Sequence, residues 1–171
     1  MTGRLGLGVG LVCLWLPACG GAPAPSPVPD RATTAAPQPV ADPAQRTGDL
    51  GSISFPATGA ATAQEDFLRG VAWLHSFGYE DAIAAFKATQ ARDADFALAF
   101  WGEALAYSQP LWFQEEPAKA RAALEKLGPT PEARRAKART PREQAFLGAV
   151  EALWGDGERP ARAAAYAEAM G

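Results

Sequence analysis

Histidine and cysteine are scarce in this chain, with one histidine and two cysteines in 171 residues. A structural zinc site usually takes about four such ligands, so a zinc cluster is not expected. Basic residues are not in excess, because 16 lysines and arginines stand against 19 aspartates and glutamates. Broad nucleic-acid binding needs a strongly positive field, and this balance argues against it. No Ser-His-Asp set, glycine-rich phosphate loop or metal-spaced cluster is present, so the sequence predicts no catalytic residues, no metal and no cofactor.

Residues 1–18 have the pattern of a bacterial secretory signal. Arg4 is the only charge, and the apolar run at 5–16 is too short to span a bilayer as a helix. The run ends in Leu-Pro-Ala-Cys-Gly at 16–20, which resembles the lipobox of bacterial lipoproteins. The resemblance implies a lipid on Cys19 and, because glycine rather than aspartate follows, the periplasmic side of the outer membrane. Plain secretion with an incidental cysteine is the alternative interpretation.

Residues 19–61 have the composition of a spacer. Ala, Pro, Gly, Ser and Thr dominate, seven prolines fall between Pro23 and Pro43, and large apolar residues are almost absent. Such a segment predicts a disordered tether with extended polyproline II character, or alternatively a proline-rich ligand. The sequence is therefore divided into a lipoprotein signal peptide at 1–18, a disordered tether at 19–61 and a helical domain at 62–171.

From residue 62 onward, apolar residues recur with helical spacing and the chain is predicted to be all-α. Thr62 and Glu65 have the spacing of a capping box at the first helix start, and Gly78 is expected to cap its C-terminus. A second capping box is predicted at Thr140 and Glu143. The helix predicted at 96–108 is apolar on two faces and is expected to lie between neighbours. The other helices are expected at 62–78, 80–92, 117–127, from 140, and 160–171.

Several positions of the first two helices resemble a tetratricopeptide repeat (TPR), with a second, partial match 34 residues later. The positions are Gly70, Trp73, Tyr79, Ala82 and Phe86, then Phe100, Ala104 and Tyr107. More narrowly, the chain is similar to the N-terminal part of long bacterial TPR proteins. The motifs of that resemblance are 74–79, 100–102, 110–112, 140–143, Tyr166 and 169–170. It implies antiparallel helical pairs stacked as a solenoid, and a domain that is incomplete at its C-terminus.

In TPR proteins the first helix of each pair lines the concave face. The resemblance therefore implies a partner groove of seven residues: Phe67, Val71, Leu74, His75, Leu98, Trp101 and Leu105. This strip is either a groove for a peptide or amphipathic helix, or core covered by the chain's own later helices. The implied function is a non-catalytic protein-interaction scaffold in the cell envelope. The alternative is a small-ligand- or metal-binding envelope protein, or a fragment of a larger enzyme-associated TPR protein.

Four further features each have two interpretations. His75 is a ligand or base, or a helix-end histidine packed on a neighbour. Glu103, among aromatic residues, binds a cationic ligand or pairs with an arginine of a neighbouring helix. Trp112 and Phe113 are anchors for a partner or packing residues. The basic run at 134–142 contacts anionic lipid or is a solvated face; its members are Arg134, Arg135, Lys137, Arg139 and Arg142.

Overall fold

The computed structural model describes residues 50–171, so the signal peptide, Cys19 and most of the predicted tether lie outside the described residues. Residues 50–171 form seven α-helices, which confirms the all-α prediction for this range. No helix within it is long and apolar enough to cross a membrane. The helices are α1 (Gln64–His75), α2 (Tyr79–Arg92), α3 (Ala97–Ala106), α4 (Pro117–Leu127), α5 (Pro131–Arg135), α6 (Pro141–Leu153) and α7 (Arg159–Met170).

Helices that follow one another in the chain form stacked pairs. The α1 helix packs on α2, α2 on α3, α3 on α4, and α6 on α7. The α3 helix lies at the centre, because it also contacts α1 and α6. Nine of its ten residues are buried, which confirms the prediction of a helix enclosed by neighbours.

Phe86 of α2 fills the space where α1, α2 and α3 meet. Its side chain is fully buried, and its ring lies against Gly70 of α1 and Gly102 of α3. A Cβ atom at Gly70 would come within 2.7 Å of this ring, and one at Gly102 within 2.3 Å. The two glycines therefore allow both helices to approach α2 closely, and Gly70 is one of the positions of the TPR resemblance.

One of the two predicted capping boxes is present. Thr140 Oγ1 accepts a hydrogen bond from the Glu143 backbone N–H at 3.2 Å, and Glu143 Oε2 accepts one from the Thr140 N–H at 3.1 Å. The box predicted at Thr62 is wrong, because a 3₁₀ turn over Ala61–Ala63 precedes α1 and no side chain caps the helix. Instead, the Gln64 side chain donates to the carbonyl oxygen of Ala57 at 3.2 Å.

The C-terminus of α1 is closed by a phenylalanine in the left-handed conformation, Phe77, with φ 59°. The Phe77 N–H donates to the Leu74 carbonyl at 3.3 Å, and the Gly78 N–H donates to the Trp73 carbonyl at 2.9 Å. This is the Schellman pattern, whose left-handed position is usually glycine. The cap predicted at Gly78 therefore lies one residue earlier. Gly78 is required for a different reason, because a Cβ atom there would lie 2.5 Å from the Trp73 indole.

A small β-hairpin connects α3 to α4. Strand β1 (Ser108–Gln109) pairs antiparallel with β2 (Gln114–Glu115). A 3₁₀ turn over Pro110–Trp112 forms the tip, and Phe113 follows it with φ 54°. The sequence predicted no strands here, because strands of two residues are too short to show an alternating pattern.

Candidate functional site

The predicted partner groove is covered by residues 53–58, hereafter the cover segment. Phe55 stacks on the Trp101 ring with centroids 5.7 Å apart, and it meets the Phe67 ring edge-on, also at 5.7 Å. The groove interpretation is therefore wrong for most of the strip, which is core. The cover comes in part from this segment, which precedes α1. It also comes in part from the later helix α6, as the core interpretation expected, because the Phe146 ring meets the Trp101 ring edge-on at 5.1 Å. The buried groove residues, at most 3% exposed, are Phe67, Val71, Leu98 and Trp101.

The cover segment also corrects the predicted boundary between tether and domain. Ile53 and Phe55 pack against the core, although both fall inside the predicted tether at 19–61. Arg142 of α6 donates to the Pro56 carbonyl at 2.7 Å, and its guanidinium lies 4.5 Å from the centroid of the Phe55 ring. The packed domain therefore begins by residue 53. The signal for this was present, because Ile53 and Phe55 are large apolar residues within a run of small ones.

Glu143 is a buried carboxylate that fastens the cover segment to α6. Its oxygens accept hydrogen bonds from the Thr58 N–H at 2.5 Å, the Thr58 hydroxyl at 2.7 Å and the Arg139 N–H at 3.0 Å. Burial alone raises the pKa of Glu143, but the hydrogen bonds from Thr58, Thr140 and Arg139 outweigh burial and lower it. Glu143 is therefore held as an anion within the structure, and its acceptor sites serve the fold.

Glu103 is almost fully buried on α3 and is paired within the domain. Its Oε2 accepts from Gln90 Nε2 at 2.6 Å, while its Oε1 lies 3.6 Å from Lys87 Nζ and 3.8 Å from Lys126 Nζ. The cationic partners are thus lysines of α2 and α4, where an arginine was expected.

His75 is exposed in the last turn of α1, so it is not among the groove residues that are buried as core.

Much of the basic run at 134–142 is engaged within the domain. Arg134 is buried, and its Nε donates to Glu151 Oε1 at 2.6 Å. Lys137 Nζ lies 2.9 Å from Asp95 Oδ1, and Arg142 is held by the cover segment. These contacts favour a structural role for the run over contact with lipid head groups.

Four large apolar side chains are exposed at the α1–α2 turn and the hairpin tip, hereafter the aromatic patch. Their exposed fractions are 52%, 52%, 54% and 82% for Phe77, Leu111, Trp112 and Phe113. Phe77 and Trp112 line one depression, whose charged lining residues, Glu80 and Asp81, are both acidic. Trp112 and Phe113 were candidates from sequence. Phe77 was missed because the sequence pattern placed the C-terminal cap of α1 at Gly78. The structure places the left-handed residue of the Schellman cap at Phe77, and its side chain is therefore exposed.

Beside the aromatic patch lies an apolar pocket of about 390 Å³. Leu74, Leu105 and Leu153 line it, and each belongs to the last turn of its helix, in α1, α3 and α6. Leu74 and Leu105 are therefore the two predicted groove residues that face a cavity. Phe77 and Pro110 also line the pocket and connect it to the aromatic patch. Its other apolar lining residues are Tyr79, Ala163 and Tyr166.

The charged side of the apolar pocket comes from α7 and the hairpin. Arg162 Nη2 lies 2.6 Å from Glu115 Oε1, and Arg159 Nε lies 3.7 Å from Glu115 Oε2. Arg162 is 6% exposed, and its Nε has no hydrogen-bond partner among residues 50–171. Two guanidinium groups therefore face one carboxylate. Sequence reasoning missed both arginines, because only tertiary packing brings α7 to the hairpin.

The chain matches no protein-family model, and no curated protein or solved structure matches it. The TPR resemblance therefore rests on the sequence motifs alone. Within residues 50–171 there is no group of three or more His, Cys, Asp or Glu side chains that could hold a metal ion.

Proposed function

We propose that this chain is a lipoprotein of the bacterial cell envelope whose TPR-like helical domain is a non-catalytic scaffold for a protein partner. The lipobox resemblance supports lipidation at Cys19 and a position on the periplasmic side of the outer membrane. The stacked helix pairs and the residues at TPR positions support a solenoid built for binding.

The aromatic patch is the observation that carries this proposal. Large apolar residues clustered on a protein surface mark interaction sites, and aromatic residues dominate the binding energy of interfaces. Phe77 and Phe113 also occupy left-handed backbone positions, which cost a residue with a Cβ atom about 1–2 kcal/mol each. Neither side chain is buried, since Phe77 is 52% and Phe113 82% exposed, and backbone strain of this kind clusters at functional positions.

The charges around the aromatic patch favour one kind of partner. The depression shared by Phe77 and Trp112 is lined by Glu80 and Asp81, and Glu80 is exposed. Acidic residues would repel an anionic lipid surface and would attract lysine or arginine. The partner is therefore an envelope protein that presents an apolar segment flanked by basic residues.

Site-directed photo-crosslinking in intact cells tests this proposal. A photo-reactive benzoylphenylalanine replaces Phe113 in the full chain, and its matched control carries the same group at Ala91, an exposed position on α2. We expect a protein adduct of one defined mass from position 113 and none from position 91. Its identification should give a protein with a basic, apolar segment.

The variant Trp112→Ser, combined with the photo-reactive group at position 113, tests whether the patch itself holds the partner. Trp112 is 54% exposed, so its loss should leave the fold intact and remove the adduct. Adducts that are the same at positions 113 and 91, or that persist without Trp112, would count against a partner at this patch. Crosslinks to lipid alone would assign the patch to the membrane.

A further inference from the structure

The polar groups that line the apolar pocket are mostly hydrogen-bond donors. Arg159 and Arg162 carry positive charge, and Glu115 is the one carboxylate among the lining residues. The Tyr79 and Tyr166 phenols are protonated at neutral pH and can donate, and burial raises their pKa still further above neutrality. A pocket with an apolar wall and donors at one side is complementary to a ligand that has an apolar body and an anionic end.

The position of the two arginines strengthens this argument. Arg159 and Arg162 lie in the first turns of α7, where the helix dipole favours anions and disfavours cations. Glu115 compensates for one positive charge, which leaves the pocket with one in excess. The Nε–H of Arg162, in a side chain more than nine-tenths buried, lacks an acceptor among the described residues. A buried donor without an acceptor is costly. A bound anion at this side of the pocket would relieve that cost once the Arg162 side chain shifts toward it.

The apolar wall defines the rest of the ligand. Leu74, Leu105 and Leu153 supply aliphatic surface from three helix ends, and the volume of about 390 Å³ is in the range of small-molecule sites. The exposed surface of the pocket is mostly apolar, so an extended polar ligand such as a sugar would leave many of its hydroxyl groups without partners.

We propose that the apolar pocket binds a free fatty acid, with the alkyl chain against Leu74, Leu105 and Leu153 and the carboxylate at Arg159 and Arg162. This goes beyond partner binding, because it assigns a small-molecule site to side chains that, apart from Phe77, do not belong to the aromatic patch. Trp112, the centre of the aromatic patch, does not line the pocket, so the two proposals can fail separately.

Calorimetric titration of the chain from residue 20 onward, which lacks the signal peptide and Cys19, tests the proposal. The described residues belong to one compact unit, and circular dichroism establishes that each variant is folded. The probes are decanoate, decan-1-ol and decylamine, which share an alkyl chain and differ in the charge of the head group. We expect saturable binding of decanoate, about tenfold tighter than that of the alcohol, because a charge-assisted hydrogen bond exceeds a neutral one. The amine should bind more weakly still.

Two substitutions on α7 form a matched pair. Ala163 lines the pocket, whereas Ala164, its exposed neighbour, does not. Ala163→Phe should fill the pocket and weaken decanoate binding about tenfold or more, and Ala164→Phe should leave it unchanged. Both positions are exposed, so neither substitution should disturb the core.

Arg159→Gln tests the charged end on its own. The Arg159 side chain is 36% exposed, so its loss should be tolerated, and decanoate affinity should fall to that of decan-1-ol. Trp112→Ser should leave decanoate binding unchanged, which separates this site from the partner site. The proposal is overturned if decanoate and decan-1-ol bind equally to the unmodified chain, if the two alanine variants behave alike, or if no binding saturates.

Discussion

Thr58 and Glu143 lie 85 residues apart in the sequence and are joined by short hydrogen bonds. The Thr58 N–H and hydroxyl donate to the Glu143 carboxylate at 2.5 Å and 2.7 Å. The same carboxylate completes the capping box of α6 through the Thr140 N–H. One side chain therefore caps a helix and also holds the cover segment over the core, so its ionised form contributes to the stability of both.

The pH dependence of stability should report on Glu143. Its pKa is lower in the folded chain than the unperturbed value of 4.5, so its contribution is fully present above about pH 4.5. The contribution is lost as the pH falls from there through the folded pKa. We expect Glu143→Gln to lower the free energy of unfolding at pH 7 by about 1–3 kcal/mol and to weaken its acid dependence. Urea unfolding from pH 7 to pH 3 measures this, with the exposed Glu125→Gln of α4 as the control. Equal acid sensitivity in the variant and the unmodified chain would contradict the assignment.

Phe55→Ala should destabilise the domain although Phe55 lies within the predicted tether. The ring contacts Trp101, Phe67 and Phe146, so its removal exposes them and leaves a gap. Phe55 is only partly buried, so we expect a loss of about 2 kcal/mol, below the range for a fully buried phenylalanine. Denaturant unfolding measures the loss, and Phe113→Ala at the 82% exposed hairpin tip is the matched control. A loss no larger than that of the control would mean that the cover segment is not packed in solution.

Two glycine substitutions in helices should have opposite outcomes. In Gly102→Ala the new methyl group would meet the Phe86 ring, so we expect a loss of about 1–3 kcal/mol from overpacking. In Gly148→Ala nothing lies within 4 Å of the new atom, so the helix should gain up to about 1 kcal/mol from the better helix former. Thermal unfolding of the two variants measures the difference. A Gly102→Ala variant as stable as Gly148→Ala would show that α2 and α3 are not in close contact.

Phe113→Gly should increase stability while it weakens partner binding. Glycine adopts a φ of 54° without a steric penalty, and the lost side chain is 82% exposed. We expect a gain of up to about 1 kcal/mol, since relief of strain exceeds the added flexibility of the unfolded chain. Phe113→Ala keeps the Cβ atom and should give no such gain. Thermal melts measure the stability, and the adduct obtained through the photo-reactive group placed at Leu111, another exposed residue of the patch, measures the binding. A destabilised glycine variant would contradict the strain argument.

Local patterns predicted the helices well. The capping box at Thr140 and the two apolar faces of α3 are patterns of residues a few positions apart, and the structure has both the capping box and the enclosed helix. The pattern failed at Thr62 because the preceding chain turns as a 3₁₀ helix and Gln64 bonds back to it instead. The spacing of two side chains alone does not determine the backbone conformation of the residues that precede the helix.

The candidate site was less accessible to sequence reasoning. The TPR resemblance placed Leu74 and Leu105 in the partner groove, but whether they face core or cavity depends on what covers them. The charged end of the pocket joins Glu115 to Arg162 across 47 positions, and no spacing rule links the two. The composition around Phe55 favoured a tether, although that one aromatic ring finds its place against α1, α3 and α6.

The cover segment changes how the helical stack is expected to unfold. A linear stack of helix pairs unfolds from its ends, because each pair touches only its neighbours. Here a stretch that precedes α1 is bonded to the start of α6, which closes the described chain into a loop. Separating α6 from α3 would release Phe55 and expose Trp101, so the unfolding of α6 is coupled to that of the chain before α1. The domain from the cover segment to α6 should therefore melt in one cooperative transition, and closure of the loop should be a late, entropically costly step of folding.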